Sequence, residues 1–362
     1  MLLNTAATPS TERRNCLAVL TPYLVPRTLL GRKVVNLGDG FILRAIERLL
    51  GPFGAQRCFS PRVALTPDVE SIVADAPAVI LAGANQLNDR YTVWPGLTAE
   101  KIREAGLRLI PFGVGLHGEP GQTDHLSEVT RDVLTAMHER IEFSSWRCPR
   151  TLGYLKRELP HLAPQLLMTG CPVVYDEPLL GGTPFARDVR KIAVTVTERG
   201  DFWAREADII DFVASHFPRA TRYLVLHQNY SPPARLELLR HRWLPQPSSR
   251  LNPYQRLRQF AVKRGFRIIC PADADACMSF YDAIDVHIGS RLHAHLLCLS
   301  RAKRSWLVPV DGRAAGIAEA LGFPLCQPNQ LLAALDFDFE IVRARAGEGF
   351  SVMQHFVKTL PR

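Results

Sequence analysis

No run of 18 uninterrupted apolar residues occurs in these 362 residues, so the sequence offers no segment that reads as a membrane-spanning helix. The opening stretch MLLNTAATPSTERRN lacks an apolar core of the length a secretory signal needs. Residues 1–14 are therefore expected to be a disordered lead-in, and the protein cytoplasmic. The cysteines, at 16, 58, 148, 171, 270, 277, 298 and 326, form no CxxC pair. That spacing does not suit structural zinc, and buried reduced thiols are expected instead. Zinc-finger spacing and RNP-type aromatic motifs are missing as well, so no nucleic-acid partner is expected. Acidic residues are the scarcer charge: 35 against 44 basic ones, a net charge of +9. A basic surface favours anionic partners and says nothing of fold.

What is present is alternation. Short apolar runs such as CLAVLTPYLV from Cys16, APAVILAG from Ala76 and LRLIPFGVG from Leu107 end in Gly, Pro or polar residues. The second half repeats the style with KIAVTVT from Lys191, RYLVLHQ from Arg222, FRIICP from Phe266 and SWLVPV from Ser305. Helical patterns, such as READIIDFVASHF from Arg205, lie between them. Near-continuous apolar strands alternating with helices predict α/β domains built on parallel sheets covered on both faces. The Pro-, Gly- and charge-rich stretch 176–188 reads as a linker. Two doubly wound domains follow, at 15–178 and 188–340, with residues 341–362 as a final helix packing back on the body.

Candidate site residues gather at the ends of these runs. In NLGDGFILRAIERLLG, residues 36–51, Asn36, Gly38 and Asp39 precede an amphipathic helix. Its free N–H groups suit an anion or a sugar hydroxyl, while the plain structural alternative makes Asp39 an N-cap. The glycine spacing there does not satisfy the dinucleotide-binding fingerprint. ILAGANQL brings Asn85, and FGVGLHGEPG brings His117, to strand ends, where parallel sheets bind ligands, while the plain alternative makes His117 a solvated loop histidine. In EFSSWRCPRTLGYLKRELP, Arg147 and Arg150 crowd a helix start, against the dipole, which favours an anion there. In DAIDVHIGSRLHAHLLCLS, residues 282–300, a strand ends at Gly289, and Ser290, Arg291, Leu292 and His293 lead into an apolar helix. His293 and His295 are two apart and do not face one metal, so no metal site is expected.

Taken in order, NLGD, a glycine-bearing strand end, the Arg-containing serine-rich helix start, TGCP and GSRLHA resemble the polysaccharide pyruvyl transferase family over most of residues 30–325. The resemblance implies a GT-B-like fold: two Rossmann-like domains with parallel sheets, an interdomain cleft holding the active site, an acceptor-side first domain and a donor-side second. It implies transfer of the pyruvyl group of phosphoenolpyruvate onto hydroxyls of a glycan or lipid-linked oligosaccharide, giving a pyruvate ketal and phosphate. By position, Arg147, Arg291, Leu292 and His293 match the family's donor-site residues. In the loop after SWLVPV many members carry a lysine where this chain has Arg313, which keeps the charge but stays protonated.

On that basis His293 is the candidate general acid, and Asp39 orients the acceptor or acts as base. Ser290, Arg291, Leu292, Arg313 and Arg147 bind the donor; Asn36, Gly38, Asn85 and His117 bind the acceptor. The chemistry requires no metal, nucleotide or other cofactor. The basic segment 235–267, with Trp243 and Tyr254 interleaved, reads either as a solvated face or as a peripheral contact with anionic lipid at the inner face of the cell membrane. Three other readings stay open: a GT-B glycosyltransferase using a nucleotide sugar, a non-catalytic anion-binding member of the family, and an enzyme of the same fold working on a small non-polysaccharide acceptor.

Overall fold

In the computed structural model the apolar runs become two parallel sheets. The structure describes residues 16–24, 35–54, 56–117, 125–198, 200–229 and 253–361. The chain divides into two units, one within Met1–Pro26, Leu43–Gly170 and Gly349–Arg362, the other within Arg27–Ile42 and Cys171–Glu348.

The first unit carries strands β1 (Leu17–Leu20), β2 (Gln56–Phe59), β3 (Val79–Leu87), β4 (Leu109–Leu116), β5 (Ser144–Trp146) and β6 (Leu166–Met168). Their order across the sheet is β2-β1-β3-β4-β5-β6, all parallel. β1 is buried throughout, as are the first six residues of β3, which is why both read as continuous apolar runs rather than alternating ones. Trp146, Val114, Leu134 and Met137 lie in its core. Ser127 starts the helix Glu128–His138 by accepting the Thr130 N–H at 3.2 Å. The last helix, Glu340–Lys358, buries Phe356, which stands edge-on to Phe112 at 5.2 Å between ring centroids.

The second unit carries β7 (Lys191–Thr195), β8 (Thr221–Val225), β9 (Phe266–Ile269), β10 (Val286–Gly289) and β11 (Ser305–Leu307), in the parallel order β9-β8-β7-β10-β11. That is the doubly wound Rossmann order, and the direction of winding reverses between β7 and β10. Residues 36–42, which chain order attached to the first domain, group here instead. Val35–Asn36 pairs antiparallel with Gln228–Asn229, and Leu37 N donates to the His227 carbonyl at 3.1 Å. Phe41 then stands edge-on to His227 and Tyr281, at 5.6 and 6.2 Å.

All eight cysteines are free thiols; six are buried, Cys58 is half-buried and Cys270 exposed. Among the described residues no helix is long and apolar enough to cross a membrane.

Candidate functional site

The carboxyl ends of β7 and β10 meet where the second sheet reverses direction, the place where open α/β sheets bind ligands. Gly289 is required there. A Cβ on it would collide with the Thr195 backbone of the neighbouring strand. The chain then turns: Ser290 N donates to the Thr195 carbonyl at 3.0 Å, and the Arg291 N–H donates to Thr195 Oγ1 at 3.2 Å. Leu292 opens the helix Leu292–Ser300, whose N-cap, Arg291, supplies no side-chain cap. Its first turn keeps the partial positive charge of an open helix start. Ser290 is 7% exposed, and its Oγ meets no partner among the described residues.

Arg291 is held rigidly. Its Nε donates to the Val196 carbonyl, and its Nη2 to the Thr197 carbonyl and to Glu198 Oε1, each at 2.8 Å. A fifth of its side chain, 20%, remains exposed. Glu198 has a left-handed backbone, φ 63°, and a fully buried side chain. It also accepts the His227 N–H at 2.7 Å. The His227 ring pairs with the Tyr281 hydroxyl at 2.7 Å, and burial first, then the charge of Arg291, pushes its pKa well below the usual histidine range. Nothing in the local sequence around residue 291 signals Thr195, Glu198, His227 or Tyr281. Thr195, Glu198 and His227 lie far away in the chain and arrive with strands β7 and β8, while Tyr281 comes from the helix Ala274–Asp282 just before β10.

Behind the turn runs a buried chain of polar side chains. Thr195 Oγ1 lies 2.8 Å from His287 Nε2, His287 Nδ1 lies 2.7 Å from Ser305 Oγ, and Ser305 Oγ lies 2.8 Å from His295 Nδ1. His287 and His295 are fully buried, and burial lowers the pKa of both, His287 to about 3. The two histidines flanking the motif are thus neutral links of the scaffold.

The NLGD segment closes against this turn. Asn36 Oδ1 accepts the Gly38 N–H at 3.2 Å, and Asn36 Nδ2 donates to Asp39 Oδ1 at 3.1 Å. The helix Leu37–Leu49 therefore starts on Asn36, with Asp39 in its first turn. A Cβ on Gly38 would lie 2.9 Å from His293 Nδ1, so glycine is what lets the two motifs touch. Arg313, in contrast, is occupied. Its Nε donates to both carboxylate oxygens of Asp311, at 2.7 and 2.8 Å, and Asp311 also caps the helix Gly312–Leu321.

In the first unit, Arg147 follows β5 directly, its N–H donating to the Val114 carbonyl at 3.0 Å. Its guanidinium lies against Gly115, where a Cβ would sit 2.6 Å from Cζ. The residue is 1% exposed, and neither Nε nor Nη1 has a partner among the described residues. Arg150 is exposed. Ala84, at φ 122°, and a register shift between Ala84 and Leu87 mark a bulge at the end of β3, beside Asn85. Asn85 Oδ1 and His117 Nδ1 are buried there without partners among the described residues. Asn85, His117 and Arg147 thus come from the ends of three neighbouring strands, β3, β4 and β5.

Of the basic segment, Arg235, Arg240, Arg242, Trp243 and Arg250 lie outside the described residues, as does the Tyr254 side chain. Of those described, Arg256 stacks on Trp203 at 4.5 Å and Arg264 pairs with Asp211. Among the described residues no group of three or more His, Cys, Asp or Glu is placed to hold a metal ion.

A family profile described as polysaccharide pyruvyl transferase matches residues 36–312. Among solved structures, the fold is similar to UDP-GlcNAc 2-epimerase from Neisseria meningitidis bound to UDP-GlcNAc, with 10% identity, 95% of this chain and 99% of that chain covered, and a TM-score of 0.51. It is similar also to the S. aureus MnaA–UDP co-structure, with 10% identity, 95% and 94% covered, and a TM-score of 0.50. At this identity the likeness is one of fold, and it places both units in the GT-B-like α/β class. No curated protein matches the sequence.

Proposed function

The chain belongs to the polysaccharide pyruvyl transferase family, and from that premise we propose that it moves the pyruvyl group of phosphoenolpyruvate onto two hydroxyls of a sugar, forming a pyruvate ketal and releasing phosphate. The observation that carries this reading is Arg147. A guanidinium 1% exposed with two nitrogens unmatched is costly to bury, and a bound anion offsets that cost. In the second unit, the open helix start at Leu292, the hydroxyl of Ser290, partnerless among the described residues, and the fixed cation of Arg291 suit an oxyanion.

The reaction needs a proton on the methylene carbon of phosphoenolpyruvate. Positive charge then develops at the adjacent carbon, which one sugar hydroxyl attacks, losing its proton. The C–O bond to phosphate breaks, and the second hydroxyl closes the ketal. His293 is the proton donor in this scheme, worth about 10²- to 10⁴-fold in rate. Asn36 and Asp39, bonded to each other beside it, are placed to orient or deprotonate an acceptor hydroxyl. Asn85 Oδ1 and His117 Nδ1 offer hydrogen bonds suited to sugar hydroxyls. Arg313, already neutralised by Asp311, contributes to the donor only if that pair opens. The acceptor is a glycan or lipid-linked oligosaccharide, and segment 235–267 makes a peripheral contact with anionic lipid. Flotation with liposomes of differing acidic-lipid content checks that contact; binding indifferent to lipid charge and to salt counts against it.

A thermal-shift titration tests the donor. A ligand that binds only the folded protein raises its melting temperature by mass action. The rise is expected with phosphoenolpyruvate, and it disappears in Arg291→Ala and in Arg147→Met. A rise with UDP-GlcNAc alone makes the chain a nucleotide-sugar enzyme. Phosphoenolpyruvate binding without turnover on any glycan makes it a non-catalytic member.

A further inference from the structure

One arginine of the second unit is built for a ligand that the preceding scheme does not use. Arg205 lies in the first turn of the helix Trp203–His216. Its Nη1 donates to the Pro309 carbonyl at 2.6 Å, just beyond β11. One face of its guanidinium stacks on Phe202, with Cζ 4.4 Å from the ring centroid. The position is therefore fixed from two directions. The remaining edge, Nε and Nη2, is buried and has no hydrogen-bond partner among the described residues.

That edge is the two-pronged fork with which arginine grips carboxylate and phosphate. A fork held in place with both prongs unmatched loses the hydration of two donors and gains nothing for it until an oxyanion arrives. Neighbouring carboxylates do not fill the role. Glu206 turns its Oε1 to the N–H and hydroxyl of Thr197, and Asp311 is engaged by Arg313. Both act on Arg205 at longer range, while burial holds its pKa below the usual arginine range.

The location agrees with a ligand. Pro309 follows β11 and Thr197 follows β7, so Arg205 and its neighbour Glu206 are anchored at the carboxyl edge of the sheet. Thr197 also carries the carbonyl that holds Arg291. The helix Trp203–His216 adds the partial charge of a first turn that no side chain caps.

We infer that Arg205 binds an oxyanion, phosphate or carboxylate, of a small anionic ligand through its Nε/Nη2 edge. That the ligand is phosphoenolpyruvate rests on the proposed function. In that case Arg205 takes one of the donor's two anionic groups, and the cation that the family resemblance placed at Arg313 is supplied from another helix.

Calorimetry on the full chain tests this with three probes: phosphoenolpyruvate, inorganic phosphate and pyruvate. Arg205→Gln is expected to weaken phosphoenolpyruvate by about 10- to 100-fold, the scale of a charge-assisted pair of hydrogen bonds. Arg205→Lys keeps the charge, loses the fork and falls in between. Selective loss of phosphate binding assigns the phosphate to Arg205, and selective loss of pyruvate binding assigns the carboxylate. The ligand-free melting temperature of Arg205→Gln is expected to stay within a few degrees of the parent, since the bond to Pro309 and the stack on Phe202 are lost while two buried N–H donors without hydrogen bonds are removed. Folded variants that bind all three probes like the parent overturn the inference and leave the proposed function standing. Phosphate binding that depends on Arg205, in a protein that ignores phosphoenolpyruvate, supports the inference and removes the function. Two variants that both fail to fold make Arg205 a structural residue and overturn the inference.

Discussion

Replacing His287 by glutamine is expected to reduce the acid sensitivity of the protein by a predictable amount. His287 bridges Thr195 and Ser305 in a fully buried chain, and burial lowers its pKa from 6.5 to about 3. Between those values the unfolded chain takes up a proton that the folded one refuses. Stability from this group is therefore complete above the unfolded pKa and is lost progressively as pH falls from 6.5 toward 3. From pH 7 to pH 4.5 the loss is about 2.5 kcal/mol for this residue alone, at 1.36 kcal/mol per pKa unit. His295 and His227, both lowered by burial, add to it with the same sign. The variant breaks one or both hydrogen bonds and is expected to be less stable at pH 7. The gap between parent and variant then narrows by about 2.5 kcal/mol at pH 4.5. Urea unfolding at the two pH values measures it, provided the denaturant slopes agree. Spectra of ¹⁵N-histidine-labelled protein at pH 5 supply an independent check, showing His287 as a neutral ring. A gap of equal size at both pH values, or an imidazolium signal for His287 at pH 5, refutes the reasoning.

The strands and the turn at Gly289 were legible because both depend on local pattern. Near-continuous apolar runs mark strands buried on both faces, and glycine before an apolar helix marks a close approach at a strand end. What holds that turn was not legible. Thr195, Glu198 and His227 reach Arg291 across the sheet and from distant parts of the chain, and no spacing in a single sequence reports such a contact. The same holds for residues 36–42, which follow the first strand in the chain but pack on His227 and Tyr281. Arg313 is a different case. An aspartate two residues before it, at a helix start, is the usual sign of an N-cap, and a capping carboxylate lies within reach of the next cation. Its pairing with Asp311 is readable from that spacing. The anion-ready edge of Arg205 had no local sign at all: its helix reads as an ordinary amphipathic one, and only the fixed guanidinium separates it from a solvated arginine.

Three further outcomes are expected. Arg147→Met removes a buried guanidinium two of whose nitrogens lack partners among the described residues and leaves a shorter, apolar side chain. The ligand-free protein should gain about 1–3 kcal/mol and lose its thermal response to phosphoenolpyruvate; a fall in ligand-free melting temperature contradicts the claim that the guanidinium is unsatisfied. Gly289→Ala places a Cβ 2.6 Å from Thr195 N, backbone against backbone, and is expected to cost about 3 kcal/mol in urea unfolding; a cost under about 1 kcal/mol means the strands part more easily than their geometry allows. Gly38→Ala works the other way. Alanine favours the helix Leu37–Leu49 by about 1 kcal/mol over glycine, but its Cβ meets His293 at 2.9 Å from Nδ1. A side chain yields more readily than a strand, so the protein should fold with nearly unchanged stability while the His293 ring is displaced. Histidine spectra should then show the His293 resonances moved and those of His287 and His295 in place. If His293 delivers the proton, Gly38→Ala lowers turnover, and combining it with His293→Ala costs little beyond His293→Ala alone, because both changes act on one group. Additive losses in that double variant would separate the two motifs, and NLGD would then have a role of its own.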